Sequence, residues 1–296
     1  MLFLGGLVFV FLCVFGSFAA SGGAIGPLIM SMPFEFLCIA GSAVGIFIMG
    51  NSKSTLEHFP YYVKLCIRGA RYDKDAYIEL LVTLFRFTRL AHTKGSMALE
   101  EHIENPEESS IFALAPGIRD DVETRNFICD YLRLVSLSVD DPHQVDDIMV
   151  REIKKNTITK LHTSESLQNV ADALPALGII AAVLGVIKTM AAISKPPVIL
   201  GEMIGDALVG TFLGILLSYG VAAPFSAKIR EVVTHDSRYH DIIRIVIVAH
   251  LNGAPPQISA EIGRKDIPKD TMPSFNELET ALTESTQAHP PTTGTA

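Results

Sequence analysis

The stretch ALPALGIIAAVLGVI, Ala173–Ile187, carries no charged residue and decides the fold. ALVGTFLGILLSYGVAAPFSA, Ala207–Ala227, is a second such run. Two more gaps lie near the N-terminus: no charge precedes Glu35, and none falls between Phe36 and Ser52. A helix crosses a bilayer in about 20 apolar residues, and a central charge costs about 2.5–3.5 kcal/mol. Four such gaps predict an all-α, polytopic membrane protein with four transmembrane helices and a helical cytoplasmic insert.

Composition agrees. Of 296 residues, 49% are hydrophobic and 19% charged, against the ~25% charged of soluble domains. The net charge of −8 argues against a nucleic-acid binder, which shows a basic patch. Cys13, Cys38, Cys66 and Cys129 form no C-x-x-C pair and read as small apolar fillers. There is no G-x-x-x-x-G-K-[ST], G-x-S-x-G or H-E-x-x-H. His235 and His240 are five apart and point different ways on a helix. Neither an enzyme nor a cofactor or metal site is expected.

The first two spans are expected from Leu2 to about Ala20 and from about Pro33 to Gly50. The first has a signal peptide as its rival reading, but no Lys or Arg precedes Lys53. Residues 1–51 are thus one unit. Residues 52–171 hold 15 of the 24 Lys plus Arg and show helical periodicity. Tyr77, Leu80, Leu81, Leu84, Phe85 and Phe87 recur at mixed three- and four-residue steps. Val122, Phe127, Ile128, Tyr131, Leu132 and Val135 do the same. Asp140-Asp141-Pro142 reads as a turn, and Val145–Thr159 as a polar helix. Residues 172–226 hold the third span, about Leu174–Ile193, and the fourth, about Met203–Ala223. Residues 227–284 are a helical tail region, and 285–296, Pro/Thr-rich at the end, are expected to be disordered.

Positive charge sets the orientation. The short connections 21–34 and 194–201 hold one Lys and no Arg. Lys53, Lys64, Arg68, Lys228 and Arg230 flank the other span ends, which places the insert and both termini in the cytoplasm.

Gly178, Ala181, Ala182 and Gly185 share a helix face, as do Gly210, Thr211, Gly214 and Ser218. Small faces let helices approach closely in lipid. They read as plain packing or as the wall of a pathway, with Thr211 and Ser218 on one stripe. Pro175 and Pro224 read as helix ends or as hinges. No Asp or Glu lies mid-span, since Glu35, Asp172, Glu202 and Asp206 fall near span ends and Lys188 can snorkel. If ions pass, a partner supplies the titrating group.

Five stretches carry a resemblance: ALEEHIENP (Ala98–Pro106), LPALGIIAAVLG (Leu174–Gly185), LVGTFLGILL (Leu208–Leu217), Gly263-Arg264-Lys265 and Pro273-Ser274-Phe275. With the span order, they make the chain similar to the MotA family of flagellar motor stator proteins, over all but the last ~15 residues. The resemblance implies a pentamer in the bacterial inner membrane around two copies of a MotB-like single-span protein. That partner carries the proton-accepting aspartate, and ion flow turns the ring to drive the rotor. Pro175 and Pro224 match conformationally important prolines. Glu100 and Glu152 match acidic positions facing the rotor protein FliG. His92 stands where the family has Arg, flanked by Arg89 and Lys94. Sodium-driven relatives have Thr where this chain has Ala182, while Thr211 matches both groups, which implies protons. The alternatives are an energising subunit resembling ExbB or TolQ, which usually has three spans, and a non-conducting membrane scaffold.

Overall fold

The computed structural model describes residues 2–23, 25–68, 71–137 and 141–287. Every regular element among them is helical. In chain order these are α1 (Leu2–Ala20), α2 (Ile25–Gly50), α3 (Lys53–Arg68), α4 (Lys74–Lys94), α5 (Glu100–Glu104), α6 (Ser110–Ala113), α7 (Pro116–Asp120), α8 (Val122–Ser136), α9 (Pro142–Ala191), α10 (Pro197–Leu217), α11 (Ala223–Leu251), α12 (Pro256–Asp266) and α13 (Phe275–Gln287). A 3-10 turn, Ser96–Leu99, precedes α5, and a π-helical turn, Ser218–Ala222, joins α10 to α11. Asp140 of the expected turn, and residues 288–296 of the tail expected to be disordered from 285, lie outside the described residues; 285–287 are not disordered but form the last turn of α13, whose buried Leu282 and Ser285 hold it on the core.

Two compact units form, one from residues 1–70 and 158–233, the other from 71–157 and 234–296. The division cuts α9 and α11 rather than falling in loops. Among the described residues four helices are long and apolar enough to cross a membrane: α1, α2, α9 and the continuous α10–α11 run. Phe9 and Leu12 of α1, and Phe34 and Leu37 of α2, are more than half exposed. A surface of this kind suits hydrocarbon rather than water. The inward faces meet in one cluster: Ile39 and Ala43 of α2, Leu174 and Ala181 of α9, and Val209 and Leu213 of α10. A second cluster joins Tyr62 and Cys66 of α3, Leu167 of α9, and Ile229 and Val233 of α11.

The polar helix expected over Val145–Thr159 and the span expected from Leu174 are one helix, α9. No Gly or Pro falls between Gln144 and Asp172, so nothing in the sequence breaks the hydrogen-bond ladder before Pro175. The expected fourth span likewise runs on into the tail helix.

The second unit is built on α4. Asp73 caps it, its side chain accepting from the Ala76 N–H at 2.9 Å, and Gly95 ends it at φ +85°, a conformation glycine adopts without penalty. The periodic residues Tyr77, Leu80, Leu81, Leu84, Phe85 and Phe87 are all buried. Each fully buried large apolar side chain contributes about 1.5–3 kcal/mol. On α8, Phe127, Ile128, Tyr131, Leu132 and Val135 join the same core. Val122 does not. It is 55% exposed, because it opens α8 directly after the Asp121 cap.

Two of the quoted tail stretches prove to be one structure. The buried Arg264 guanidinium donates to the Pro273 carbonyl at 2.9 Å and forms a fork with Glu261. Ser274 and Glu277 cap α13 reciprocally, with Glu277 accepting from the Ser274 N–H at 2.7 Å. Lys74 also bonds Glu277, and together with Ser274 it pulls that carboxyl down to about 2.

Candidate functional site: a glycine crossing, two prolines and a charged helix end

In the first unit α9 and α10 cross through backbone. A Cβ placed on Gly178 would lie 2.8 Å from the Gly210 carbonyl oxygen, and one on Gly210 would lie 2.9 Å from the Ala181 Cβ. Gly185 packs on Ala207 in the same way, with 2.7 Å between such a Cβ and that of Ala207. The two small faces read from sequence are therefore the two sides of one contact. Ala182 is half-buried within it, its N–H nitrogen 3.2 Å from the Gly210 Cβ position. Thr211, the next residue, is also half-buried.

Glu35 of α2 reaches the same crossing, with Oε2 2.9 Å from the Gly210 Cβ position. It interacts electrostatically with Asp206 of α10 and Lys188 of α9. The sequence leaves these as separate charges near span ends. Spacing from the turn gives no signal for this grouping, because Lys188 stands three residues before the end of α9 and Asp206 nine residues after the start of α10; the register that packs Gly185 on Ala207 brings the two charges toward one another.

Neither proline ends its helix. Pro175 lies inside α9. Pro224 is the second residue of α11, directly after the π-helical turn. A proline removes one N–H and its ring clashes with the carbonyl four residues back. The π turn absorbs this ahead of Pro224 by lengthening the bond pattern, with the Ala223 N–H donating to the Ser218 carbonyl five residues back. The Ser218 hydroxyl does not line an open stripe with Thr211. It is buried and donates to the Ala171 carbonyl of α9 at 2.7 Å. Below it Ser164 and Ser226 clasp each other, each hydroxyl donating to the other's carbonyl at 2.8 Å.

In the second unit the charged residues singled out from sequence fall into three settings. Arg89 is half-buried and donates to the Thr286 hydroxyl of α13 at 2.8 Å. His92, one turn later, is exposed and near His250 of α11. Lys94, exposed at the last residue of α4, acts on His102 of α5. Glu100 is exposed at the first residue of α5, one 3-10 turn beyond α4. Glu152 sits on α9 and accepts from the Tyr131 hydroxyl of α8 at 2.5 Å. Burial, then the Glu152 carboxylate, raises the Tyr131 phenol. The sequence reading missed Tyr131 as the holder of Glu152, because its place on the apolar face of α8 hides its hydroxyl.

The comparisons with known proteins agree along the chain. The family model described as Motility protein A N-terminal matches residues 4–95, and that described as MotA/TolQ/ExbB proton channel family matches residues 120–241. Motility protein A of Salmonella typhimurium is 37% identical over 279 residues, covering 94% of each chain. Motility protein A of Escherichia coli is 38% identical over 283 residues with the same coverage. Among solved structures, the MotAB of C. jejuni superposes with a TM-score of 0.74 at 17% identity, over 92% of this chain and 98% of that one. The flagellar MotAB stator complex from Bacillus subtilis gives 0.72 at 18% identity, over 94% and 98%. Identity at this level over nearly the whole length, on a shared fold, makes the chain a flagellar stator subunit of the motility protein A family, within the MotA/TolQ/ExbB proton channel family.

Proposed function

We propose that this stator subunit forms a pentamer around two copies of a MotB-like partner in the bacterial inner membrane, with both termini and residues 52–171 in the cytoplasm. The partner's single span supplies the aspartate that takes the proton. Each charge crossing the membrane releases about 2.3 kcal/mol per 100 mV. That energy does work only if protonation changes which packing of α9 and α10 is preferred. No covalent chemistry is required of the chain.

The observation that carries this reading is the glycine crossing of α9 and α10 with Pro175 inside α9. A backbone-to-backbone contact has no side-chain knobs to lock it, and the proline interrupts the ladder beside it. Ala182 offers no hydroxyl at the crossing. A sodium ion needs several oxygen ligands, whereas a proton needs one carboxylate and a water path, so the chain is proposed to carry protons. Glu100 and Glu152 are the proposed contacts for the rotor protein FliG, and Arg89, His92 and Lys94 are proposed to belong to the same interface. Arg89 is held on α13, so the positive charge left exposed there is Lys94.

Expression with its partner in a flagellated strain lacking stators tests the reading. Swimming should return, stop with a protonophore and persist without sodium. Swimming that requires sodium overturns the proton assignment, and a complex that assembles without restoring swimming overturns the stator role.

A further inference from the structure

Pro175 has no N–H, so the Ala171 carbonyl four residues back loses its intrahelical donor. Ala171 is fully buried, where water cannot replace that donor. The replacement comes from the other helix: the Ser218 hydroxyl donates to this carbonyl at 2.7 Å, and Ser218 is itself 1% exposed. Ser218 is also the first residue of the π-helical turn, and its own carbonyl accepts the N–H of Ala223, the residue before Pro224. One residue therefore sits at both proline sites: its hydroxyl replaces the N–H that Pro175 lacks, and its carbonyl opens the wide five-residue turn that leads into Pro224.

We propose that Ser218 is a positioning residue that couples the two prolines, its hydroxyl standing in for the N–H that Pro175 lacks. The bond exists only while α9 and α10 hold their present register, since Ala171 and Ser218 lie beyond the Gly178–Gly214 contact on the two helices. Displacement of one helix along the other withdraws the carbonyl from the hydroxyl, and the strain at Pro175 is then felt in the turn before Pro224. A functional consequence follows only if the prolines act in coupling, as proposed above, whereas the hydrogen bond can be tested without that reading.

The test uses the complex purified from membranes with its co-expressed partner. Hydrogen–deuterium exchange is followed in residues 168–178 and 217–227. Ser218→Ala should speed exchange in both segments by about tenfold, as expected for one buried hydrogen bond. Ser218→Thr, which keeps a hydroxyl, should not. In a Pro175→Ala background the restored N–H serves Ala171, so Ser218→Ala should then affect 217–227 alone. An effect confined to 217–227 in the parent background overturns the bond's role at Pro175. So does a 168–178 effect that persists undiminished in the Pro175→Ala background. If Ser218→Ala fails to accumulate, Ser218→Cys, a weaker donor of similar size, replaces it in both arms. For function, Ser218→Ala should slow tethered-cell rotation with partner co-purification intact, and Ser164→Ala, which removes a buried hydroxyl away from both proline carbonyls, should slow it less. The expected exchange pattern with unchanged rotation would leave the bond standing and reject the coupling.

Discussion

Gly178 and Gly214 meet backbone to backbone: a Cβ built on Gly214 would lie 2.8 Å from the Gly178 Cα, and one on Gly178 would lie 3.0 Å from the Gly214 Cα. Neither neighbour is a side chain that can turn away. Gly178→Ala or Gly214→Ala therefore forces the helices apart, at about 1–3 kcal/mol for overpacking. Each should lower the membrane level of the protein or stop rotation. Gly205→Ala, on the same helix with open space around it, should do neither. Equal accumulation and equal swimming for all three would show that the crossing tolerates separation.

Orientation makes a second prediction. Lys195 and Ser21 are exposed in the two short connections, and Glu108 is exposed in the insert. Lys195→Cys and Ser21→Cys should react with a membrane-impermeant thiol reagent in intact cells, against the native cysteine background. Glu108→Cys should react only after lysis. Labelling of Glu108→Cys in intact cells would reverse the orientation.

Acid should loosen the second unit in two steps. Burial, aided by nearby His92, holds the His250 imidazole below its usual value of 6.5. Burial does the same to His102, opposed by Glu101 and aided by Lys94. The unfolded chain then binds protons that the fold resists, so this contribution is present above about 6.5 and is lost as pH falls below it. Asp121 acts lower. Burial pushes its carboxyl up, but Thr124, Arg71 and Tyr72 outweigh this and leave it below its usual value. Its contribution is present above the usual carboxylate range and is lost as pH falls through the folded value. Thermal unfolding of the purified protein between about pH 8 and pH 5 should show the first step, and His250→Gln should flatten part of it. An identical pH slope in the variant would place the acid sensitivity elsewhere.

Much of this was legible in the sequence because the signals were periodic or were charge gaps. The apolar steps from Tyr77 to Phe87 mark the face that α4 buries, and the four gaps mark helices long and apolar enough to span. Continuity was not legible. Windows read one at a time separate a polar helix near Val145 from an apolar one near Leu174, although no breaker lies between them. The donor at Ala171 and the holder of Glu152 were hidden for another reason. Ser218 and Tyr131 lie 47 and 21 residues from their partners, and no local pattern encodes that pairing.

That hidden holder makes the last prediction. Glu152 is proposed to face the rotor, and its carboxylate is fixed by the Tyr131 hydroxyl at 2.5 Å. Tyr131→Phe keeps the ring in the core, where Tyr131 is 2% exposed and packs at a tilt on Phe127, ring centroids 4.8 Å apart. Only the hydroxyl is lost, so the fold should hold, within the about 1–3 kcal/mol of one charge-assisted bond. Glu152 is then free to take other rotamers. If its role is a positioned charge, Tyr131→Phe should reduce swimming part of the way toward Glu152→Gln, and the two changes together should be no worse than Glu152→Gln alone. Among the described residues Glu100 has no such holder: it is exposed at the start of α5, where one ion pair is worth about 0.2–1 kcal/mol. Glu100→Ala should therefore be mild, while Glu100→Lys, which reverses the sign, should impair swimming with assembly intact. Swimming speeds of the five strains, with membrane levels as control, decide it. Full speed in both Glu100→Lys and Glu152→Gln would remove the rotor contact from these two positions.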